Sequence, residues 1–329
     1  MTYETQKAWK EVEAFLPGEY QYHAEYKPAE EYWNWKGNQV HLDTFRDPAA
    51  KAKVICFHGV GTNGRQISMI IGGPLAKNGF ETITVDMPTY GMTEVDPRMK
   101  ITYADWVQCG KDLVDEELKR DNRPVFLYGL SAGGMQTYHI AAKSGRVKGI
   151  IGMTFLDQRE KQVQMTTASN VFWGMTGAAF AKLSCAMGLG GFKIRMSVPS
   201  KMKALVNDRD CLDIMRADPT SAGNKVTMQF LNSYVTYVPD IEPEDFTVCP
   251  VLLTQPEKDG WTPQLLSDIF LDKIKKVPVT KTILRNGSHY PFEKEALEDL
   301  LHDTLNFLEE QLVVLSWQER HKIIQSETK

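Results

Sequence analysis

The chain has 329 residues, of which 42% are hydrophobic and 24% are charged. This is an ordinary globular composition, so disordered and fibrous classes are excluded, and the length allows one large core with a smaller inserted or appended unit. The net charge is −4, and the Lys and Arg residues are scattered along the sequence. A nucleic-acid partner is therefore not expected.

Five cysteines are widely spaced and include no Cys-x-x-Cys pair: Cys56, Cys109, Cys185, Cys211 and Cys249. This spacing argues against a zinc site or a disulfide-exchange motif, and it favours free, buried thiols in a reducing cytosol. We therefore expect no bound metal and a cytoplasmic location.

Neither a targeting segment nor a membrane segment is expected. Residues 1–15 are charged throughout and have no apolar run of the kind found in signal peptides. The longest nearly uncharged apolar stretch, Val171 to Ala181, is far shorter than the ~20 residues that a membrane-spanning helix needs. These features predict a soluble protein and do not indicate its oligomeric state.

The predicted elements begin with a short helix and a hairpin that turns at Gly37-Asn38. Strands are expected at Glu31–Trp35, Gln39–Phe45, Val54–Phe57, Thr82–Val85, Val125–Tyr128, Ile150–Phe155, Val251–Thr254 and Thr282–Leu284. Helices are expected at Glu4–Phe15, Arg65–Asn78, Tyr103–Lys119, Met135–Ser144, Thr262–Lys275 and Pro291–Leu312. Short apolar strands that alternate with helices predict an α/β fold with a mostly parallel central sheet flanked by helices.

The alternation stops between Asp157 and Asp245, where apolar residues have helical spacing around Val171–Met187 and Lys201–Met215 and no strand is expected before Val251. We interpret residues 157–245 as a helical cap inserted into a core formed by residues 1–156 and 246–329. Seven of the fourteen methionines lie in this cap, and they indicate either an adaptable ligand surface or simply the cap's own core. We expect two cap residues to contact substrate, Trp173 and Met175.

The sequence Gly129-Leu130-Ser131-Ala132-Gly133 follows a predicted strand directly and precedes the helix that starts near Met135. A serine there stands exposed on a sharp turn, and the glycines two residues away avoid collisions with neighbouring backbone. The turn also brings the Ala132 N–H and the helix N-terminus beside the hydroxyl, where an oxyanion would develop. We interpret Ser131 as a nucleophile and the Ala132 N–H as an oxyanion donor.

A histidine follows the last predicted strand in the sequence Gly287-Ser288-His289-Tyr290-Pro291. A catalytic imidazole needs a loop position over the nucleophile, and Pro291 prevents the final helix from extending back into this loop. We therefore interpret His289 as the general base. His23 and His41 lie outside any such pattern.

The acid that orients this base should follow a strand between Ser131 and His289 in chain order. Asp259 fits, because it lies in the loop after the strand that starts at Val251. Glu257 in the same loop and Asp157 after an earlier strand remain alternatives. The acid would fix the imidazole tautomer and stabilise the imidazolium without taking the proton.

A competing interpretation is a dinucleotide site, since Gly59-x-Gly61-x-x-Gly64 follows a strand and Asp86 ends the next strand. However, about 50 residues and a hairpin precede this strand, which normally opens such a domain. The interpretation also leaves Ser131 and His289 without a role.

Taken in order, these segments resemble the α/β-hydrolase superfamily, most closely its capped serine esterases and monoacylglycerol-lipase-like members. The segments are His58-Gly59-Val60-Gly61, Val85–Gly91, the turn at Ser131, Pro250–Pro263 and Gly287-Ser288-His289. The resemblance spans roughly residues 31–312. It implies the triad Ser131, Asp259 and His289, oxyanion donors at Val60 and Ala132, and no cofactor. His58 is then a residue that organises its loop. Thr89-Tyr90 departs from the Gly-His more common in the superfamily.

The function expected from this resemblance is hydrolysis of a carboxylic ester through an acyl-enzyme on Ser131, with a small-molecule ester that has an apolar acyl or alcohol part as substrate. Amidase or peptidase, thioesterase, carbon–carbon hydrolase and acyltransferase activities use similar triads and stay open. A non-catalytic binding protein of the same fold is the alternative from another class.

Overall fold

The computed structural model describes the backbone of residues 2–327 and the side chains of residues 2–318. Its strands are β1 (Ala29–Trp35), β2 (Asn38–Phe45), β3 (Lys53–Phe57), β4 (Glu81–Val85), β5 (Val125–Gly129), β6 (Ile150–Gly152), β7 (Lys193–Arg195), β8 (Lys225–Thr227), β9 (Val251–Pro256) and β10 (Val279–Leu284). Eight of them form one sheet in the order β1-β2-β4-β3-β5-β6-β9-β10. In this sheet β2 is antiparallel to β1 and β4, and the other pairs are parallel. The predicted mostly parallel sheet is confirmed.

The helices are α1 (Ala8–Glu13), α2 (Gly64–Ile67), α3 (Gly73–Lys77), α4 (Tyr103–Arg120), α5 (Ala132–Ser144), α6 (Lys161–Thr167), α7 (Val171–Ala186), α8 (Arg209–Ala217), α9 (Met228–Val235), α10 (Leu265–Leu271) and α11 (Lys294–Glu327). A π-helical turn, Ser68–Gly72, joins α2 to α3, so the helix predicted over Arg65–Asn78 is present in three pieces. None of the helices within the described residues is both long and apolar enough to cross a membrane.

The core is centred on β3, β4, β5 and β9, in which every residue is buried. Parallel strands covered on both faces need continuous apolar sequence. These segments could therefore be predicted as strands although apolar and polar residues do not alternate in them. The loops that leave the carboxyl ends of β3, β5, β9 and β10 lie along one edge of the sheet, the edge where α/β proteins bind their ligands.

The inserted segment contains α6 to α9, as expected, and also one unexpected feature. The strands β7 and β8 form a separate antiparallel pair. The prediction of no strand before Val251 was therefore wrong, because three-residue strands are too short to show an alternating pattern. The helix expected from Lys201 begins only at Arg209, after a 3₁₀ turn over Met202–Ala204.

Other boundaries also differ from the prediction. The strand predicted over Ile150–Phe155 ends at Gly152, because the Phe155 N–H bonds to the Ser267 hydroxyl instead of to a neighbouring strand. The first predicted helix is reduced to a 3₁₀ turn and the short α1.

Candidate active site

Ser131 lies at the turn between β5 and α5, with φ 57° and ψ −122°. Residues other than glycine rarely adopt positive φ, and such strain persists only where the surrounding structure enforces it. The N–H groups of Gly133 and Gly134 donate to the carbonyls of Leu130 and Ser131, each at 2.8 Å, and hold the turn. Ser131 is 6% exposed, and it lines a cavity under the inserted segment.

Glycines around this turn permit close approach of backbone. A Cβ at Gly129 would lie 2.0 Å from the carbonyl oxygen of Gly133, and one at Gly133 would lie 2.5 Å from that of Phe57. A Cβ at Gly59 would lie 2.8 Å from the Cβ of Ser131. The loop after β3 therefore lies directly against the serine, which only glycine allows at this position.

The loops after β9 and β10 bring Asp259 and His289 together. Asp259 Oδ2 lies 2.8 Å from His289 Nδ1, and both side chains are buried. Because a carboxylate only accepts hydrogen bonds, Nδ1 carries the proton and Nε2 keeps its lone pair. The Nε2 atom is buried, and no hydrogen-bond partner is present for it in the described part of the chain.

Asp259 is held as a carboxylate by its own loop. Its Oδ1 accepts hydrogen bonds from the backbone N–H groups of Trp261 and Thr262, at 2.7 and 2.8 Å, and its Oδ2 accepts one from the Thr262 hydroxyl at 2.6 Å. Burial raises the pKa of Asp259, but attraction to His289 and the hydrogen bonds from His289 and Thr262 outweigh burial and leave the pKa below its ordinary value.

The two alternative acids lie elsewhere. The exposed Glu257 accepts a hydrogen bond from the backbone N–H of Asn286 at 2.8 Å. Asp157 is buried and paired with Arg159 at 2.7 Å. Only Asp259, of the three candidates, contacts His289.

Ser131 lines the cavity, and His289 is connected to it through Trp261 and Thr262, which contact the imidazole and also line the cavity. Thr262 lines the cavity with Ser131, and its hydroxyl lies 3.1 Å from His289 Nδ1. The described residues include no hydrogen bond between the serine hydroxyl and Nε2. Catalytic hydrogen bonds are often long in a free enzyme and tighten when substrate binds.

The loop after β3 is organised by His58, as the sequence suggested. Its Nδ1 bonds to the Gly59 carbonyl at 2.8 Å, and its Nε2 accepts the Met87 N–H at 3.0 Å. Burial lowers the pKa of His58, so the ring is neutral. Tyr90 is one of the two residues that differ from the Gly-His more common in the superfamily. Its hydroxyl donates a hydrogen bond to the Val60 carbonyl at 3.0 Å. Tyr90 thus fixes the peptide next to the expected oxyanion donor.

The Val60 and Ala132 amides belong to two segments next to the serine, the loop that packs against Ser131 and the start of α5. Val60 lines the cavity with Ser131, and Ala132 is the first residue of α5. Neither N–H donates a hydrogen bond to another group within residues 2–327. Two free amides, one at a helix N-terminus and one in a glycine-flanked loop, can donate hydrogen bonds to an oxygen that develops negative charge.

The cavity is bordered by the loops of the core and by the inserted segment. Its lining residues are Val60, Ser131, Leu156, Gln158, Gln164, Thr167, Ala168, Trp173, Gly177, Ala178, Ala181, Met196, Pro199, Ser200, Met228, Leu231, Tyr234, Val235, Trp261 and Thr262. None of these described residues carries a formal charge. Most are apolar, so the cavity suits an uncharged, largely apolar group.

Helix α7 presents two different faces. Trp173 and the small residues Gly177, Ala178 and Ala181 line the cavity. Met175, which we expected to contact substrate, is 65% exposed and is not part of the lining. The helical period explains the difference, because residues two positions apart point about 200° away from each other.

The methionines of the inserted segment do not all lie in the same surroundings. Met196, Met202, Met215 and Met228 are all buried in the core, and Met196 and Met228 also line the cavity. The interpretation as a ligand surface is therefore confined, among these four, to Met196 and Met228.

The dinucleotide interpretation is contradicted by the position of Asp86. This carboxylate is fully buried and accepts hydrogen bonds from the Gly64 N–H at 2.6 Å and the Tyr3 hydroxyl at 3.0 Å. A Cβ at Gly91 would lie 2.1 Å from its oxygens, which leaves no room for a ribose. Two strands, β1 and β2, also precede β3 in the chain, whereas a dinucleotide domain would begin with the strand before the glycines.

One group of described residues has the spacing of metal ligands: Glu30, His41 and Asp43. Both nitrogens of His41 already face carboxylates, Glu30 at 2.9 Å and Asp86 at 2.8 Å. Arg65 also binds Asp43 through two hydrogen bonds. These cations balance the buried carboxylates, so a metal ion would have to displace them.

Sequence reasoning missed Trp261 and Thr262. The Trp261 ring lies against the imidazole of His289, with centroids 4.8 Å apart and an interplanar angle of 39°. The available signal was the spacing Asp259-x-x-Thr262, in which an acidic side chain commonly accepts the N–H three residues later. No local signal indicated the Trp261 contact.

A family model described as serine aminopeptidase, S33 (Hydrolase_4) matches residues 48–295, about three quarters of the chain. The chain therefore belongs to this family, whose members are hydrolases of the α/β-hydrolase fold. No curated protein gave a significant sequence match.

Solved structures agree with this assignment of fold. The soluble variant of a monoglyceride lipase from Saccharomyces cerevisiae, in complex with a substrate analogue, has a TM-score of 0.72 at 16% identity, covering 89% of this chain and 98% of that one. A monoacylglycerol lipase from Paleococcus ferrophilus has a TM-score of 0.64 at 19% identity, with coverages of 83% and 99%. A thermostable carboxyl esterase from Bacillus coagulans has 0.65 at 15%, with coverages of 86% and 98%. The α/β-hydrolase fold is confirmed.

Proposed function

We propose that this protein is a serine hydrolase that cleaves carboxylic esters through an acyl-enzyme on Ser131. The observation that carries the proposal is the buried pair of Asp259 and His289, 2.8 Å apart, beside a cavity lined by a serine with positive φ. Burial, a defined tautomer and a strained nucleophile turn together are the features that acyl transfer requires.

In the proposed reaction the Ser131 hydroxyl oxygen attacks the ester carbonyl carbon, and its proton passes to His289 Nε2. The carbonyl oxygen becomes an oxyanion that the Val60 and Ala132 N–H groups bind. The intermediate collapses, the alcohol leaves with the proton from Nε2, and water then hydrolyses the acyl-enzyme with His289 as base again. Each oxyanion donor of this kind is worth about 3–4 kcal/mol.

The uncharged lining supports an ester over a peptide as substrate. The family description names an aminopeptidase, and an enzyme of that specificity needs a carboxylate to bind the substrate's α-ammonium group. None of the described lining residues is acidic. We propose an ester whose acyl or alcohol part is apolar.

The outer face of the inserted segment supports an amphiphilic substrate. The exposed apolar side chains of α7 and the following loop are Val171, Phe172, Met175, Phe180, Leu183, Met187, Leu189 and Phe192. Residues 161–207 include cations but no Asp or Glu. An exposed apolar row of this length beside the cavity is compatible with substrates that gather in a lipid phase.

We also propose the domain limits and the location. Residues 157–245 form the cap, and residues 1–156 and 246–329 form the core, of which residues 1, 328 and 329 lie outside the described part. A cytoplasmic location is supported by the five cysteines, all of which are free thiols.

The proposal is tested by labelling with a fluorophosphonate and by turnover of p-nitrophenyl esters of increasing chain length. Wild type should be labelled and Ser131→Ala should not be. Ser144→Ala, at the other end of α5, is the matched control and should be labelled like wild type. Labelling that persists in Ser131→Ala would assign the nucleophile to another residue. A labelled protein that hydrolyses peptides and no esters would contradict the proposed substrate class.

A further inference from the structure

Residues 201–207 of the inserted segment contact three loops of the core. We call these the oxyanion loop (residues 58–63), the acid loop (257–262) and the base loop (285–290), after the proposed roles of Val60, Asp259 and His289. Residues 201–207 are called the contact segment. It lies between the β7 strand and α8, and its Met202, Leu205 and Val206 are buried.

The acid loop receives two hydrogen bonds from the contact segment. Lys201 Nζ donates to the Gly260 carbonyl at 2.7 Å, and Asn207 Nδ2 donates to the Lys258 carbonyl at 3.2 Å. The two acceptors lie immediately before and after Asp259. The contact segment thus holds the backbone on both sides of the proposed acid.

The base loop is bound in the same manner. The backbone N–H of Asn207 donates to the Ser288 hydroxyl at 3.1 Å, and the N–H of Tyr290 donates to the Leu205 carbonyl at 2.8 Å. These contacts lie immediately before and after His289. The peptide that carries the proposed base is therefore fixed by the inserted segment at both ends.

Trp261 forms a third connection between the inserted segment and the proposed base. One face of its ring lies against His289, and its Nε1 donates to the Thr167 carbonyl at the end of α6 at 3.1 Å. The same carbonyl accepts the Lys201 N–H at 3.0 Å. The ring that packs on the imidazole is thus bonded to the end of α6, at a carbonyl that also holds the start of the contact segment.

The oxyanion loop packs against the contact segment through Gly61. A Cβ at Gly61 would lie 2.9 Å from Met202 Sδ and 3.0 Å from Leu205 Cδ1. These buried side chains support the loop that carries the Val60 N–H, so all three loops meet one seven-residue segment.

From these contacts we propose that the contact segment and Trp261 position the acid, the base and the oxyanion donor, so that the cap is part of the catalytic geometry as well as a wall of the substrate cavity. This inference rests on the proposed function. Asn207, Leu205 and Trp261 are positioning residues, since they act on the reacting groups through His289, Asp259 and Val60. A misplacement of about 1 Å in such groups can lower a rate on the order of 100-fold.

A residue that only shapes the cavity and a residue that positions the base have different kinetic signatures. A cavity residue alters KM and the preferred chain length. A positioning residue lowers kcat for every ester, including p-nitrophenyl acetate, whose acyl group is too short to fill the cavity, and leaves KM nearly unchanged.

The experiment compares Asn207→Ala, Trp261→Phe and Trp261→Leu in the full chain. Ser233→Ala is the matched control, because its hydroxyl accepts the Tyr103 N–H at 2.8 Å and so links cap to core away from the three loops. We expect kcat on p-nitrophenyl acetate to fall on the order of tenfold for Asn207→Ala and Trp261→Leu. Trp261→Phe keeps a ring against His289, so its kcat should fall less than that of Trp261→Leu. The kcat of Ser233→Ala should match that of wild type.

A second readout does not depend on turnover. The His289 Nδ1 proton bonded to Asp259 should give a downfield NMR resonance in wild type, and Asn207→Ala and Trp261→Leu should shift or broaden it. Variants that melt like wild type, keep its kcat on the acetate and keep this resonance would overturn the inference. If wild type hydrolyses no ester, the proposed function fails, and the resonance alone then decides whether the contact segment positions His289.

Discussion

Asp259 Oδ2 lies 2.8 Å from His289 Nδ1, while two backbone N–H groups and the Thr262 hydroxyl occupy the remaining lone pairs of the carboxylate. Every acceptor site of this buried acid is therefore used, and each hydrogen bond favours the ionised form. The arrangement holds the imidazole in one orientation and in one tautomer.

Replacing Asp259 by asparagine should lower kcat on the order of 10⁴-fold, because an amide in this position favours the wrong imidazole tautomer. The measurement is turnover of a short p-nitrophenyl ester at neutral pH. Glu257→Gln is the matched control, because Glu257 binds the Asn286 N–H and not His289. A larger loss for Glu257→Gln than for Asp259→Asn would move the acid to Glu257.

Ser131→Ala should lower kcat on the order of 10⁶-fold, since the members of a triad act as a unit. The melting temperature should not fall, because alanine keeps the Cβ and removes the hydroxyl from a strained turn. A variant that retains a tenth of wild-type turnover would exclude Ser131 as the nucleophile.

Trp173→Ala should move the preferred acyl chain towards longer esters, because the side chain lines the cavity. Each methylene that becomes buried contributes up to ~0.8 kcal/mol, close to fourfold in kcat/KM. Met175→Ala, on the exposed face of the same helix, should leave the chain-length profile unchanged. The check is kcat/KM over a series of p-nitrophenyl esters. Equal shifts for the two variants would mean that α7 rotates or moves when substrate binds.

His41 should make stability depend on pH in the alkaline range. Burial lowers the pKa of His41, but the facing carboxylates of Asp86 and Glu30 more than offset burial and raise the pKa to about 10. Since the unfolded pKa is about 6.5, the stabilisation is present in full below that pH and is lost as the pH rises to about 10.

The free energy of unfolding of wild type, measured with urea between pH 6 and 10, should therefore decline by an amount on the order of a few kcal/mol. His41→Gln should be less stable at pH 6 and should lack most of this decline. His302→Gln, an exposed residue of α11, should retain the wild-type profile. A wild-type curve that is flat over this range would show that His41 is neutral in the folded protein.

Residues that act through local patterns were predictable from the sequence. The turn at Ser131 needs glycines at fixed offsets, the buried strands need continuous apolar runs, and the base needs a loop before the last helix. These requirements concern neighbours along the chain, so a single sequence records them. The same reasoning correctly favoured an α/β fold over a dinucleotide-binding domain.

Contacts between distant segments were decided only by the tertiary structure. The pairing of Asp259 with His289, the packing of Trp261 on His289 and the hydrogen bonds from residues 201–207 to other segments join residues 28 to 85 positions apart. No local rule ties these residues together. The orientation of α7 was equally undetermined, because both of its faces are apolar and hydrophobic periodicity cannot then say which one is buried. The sequence alone thus determined the class of fold and the turn that carries Ser131. Long-range packing determined which acid contacts His289, which side chains line the cavity and which loops residues 201–207 contact.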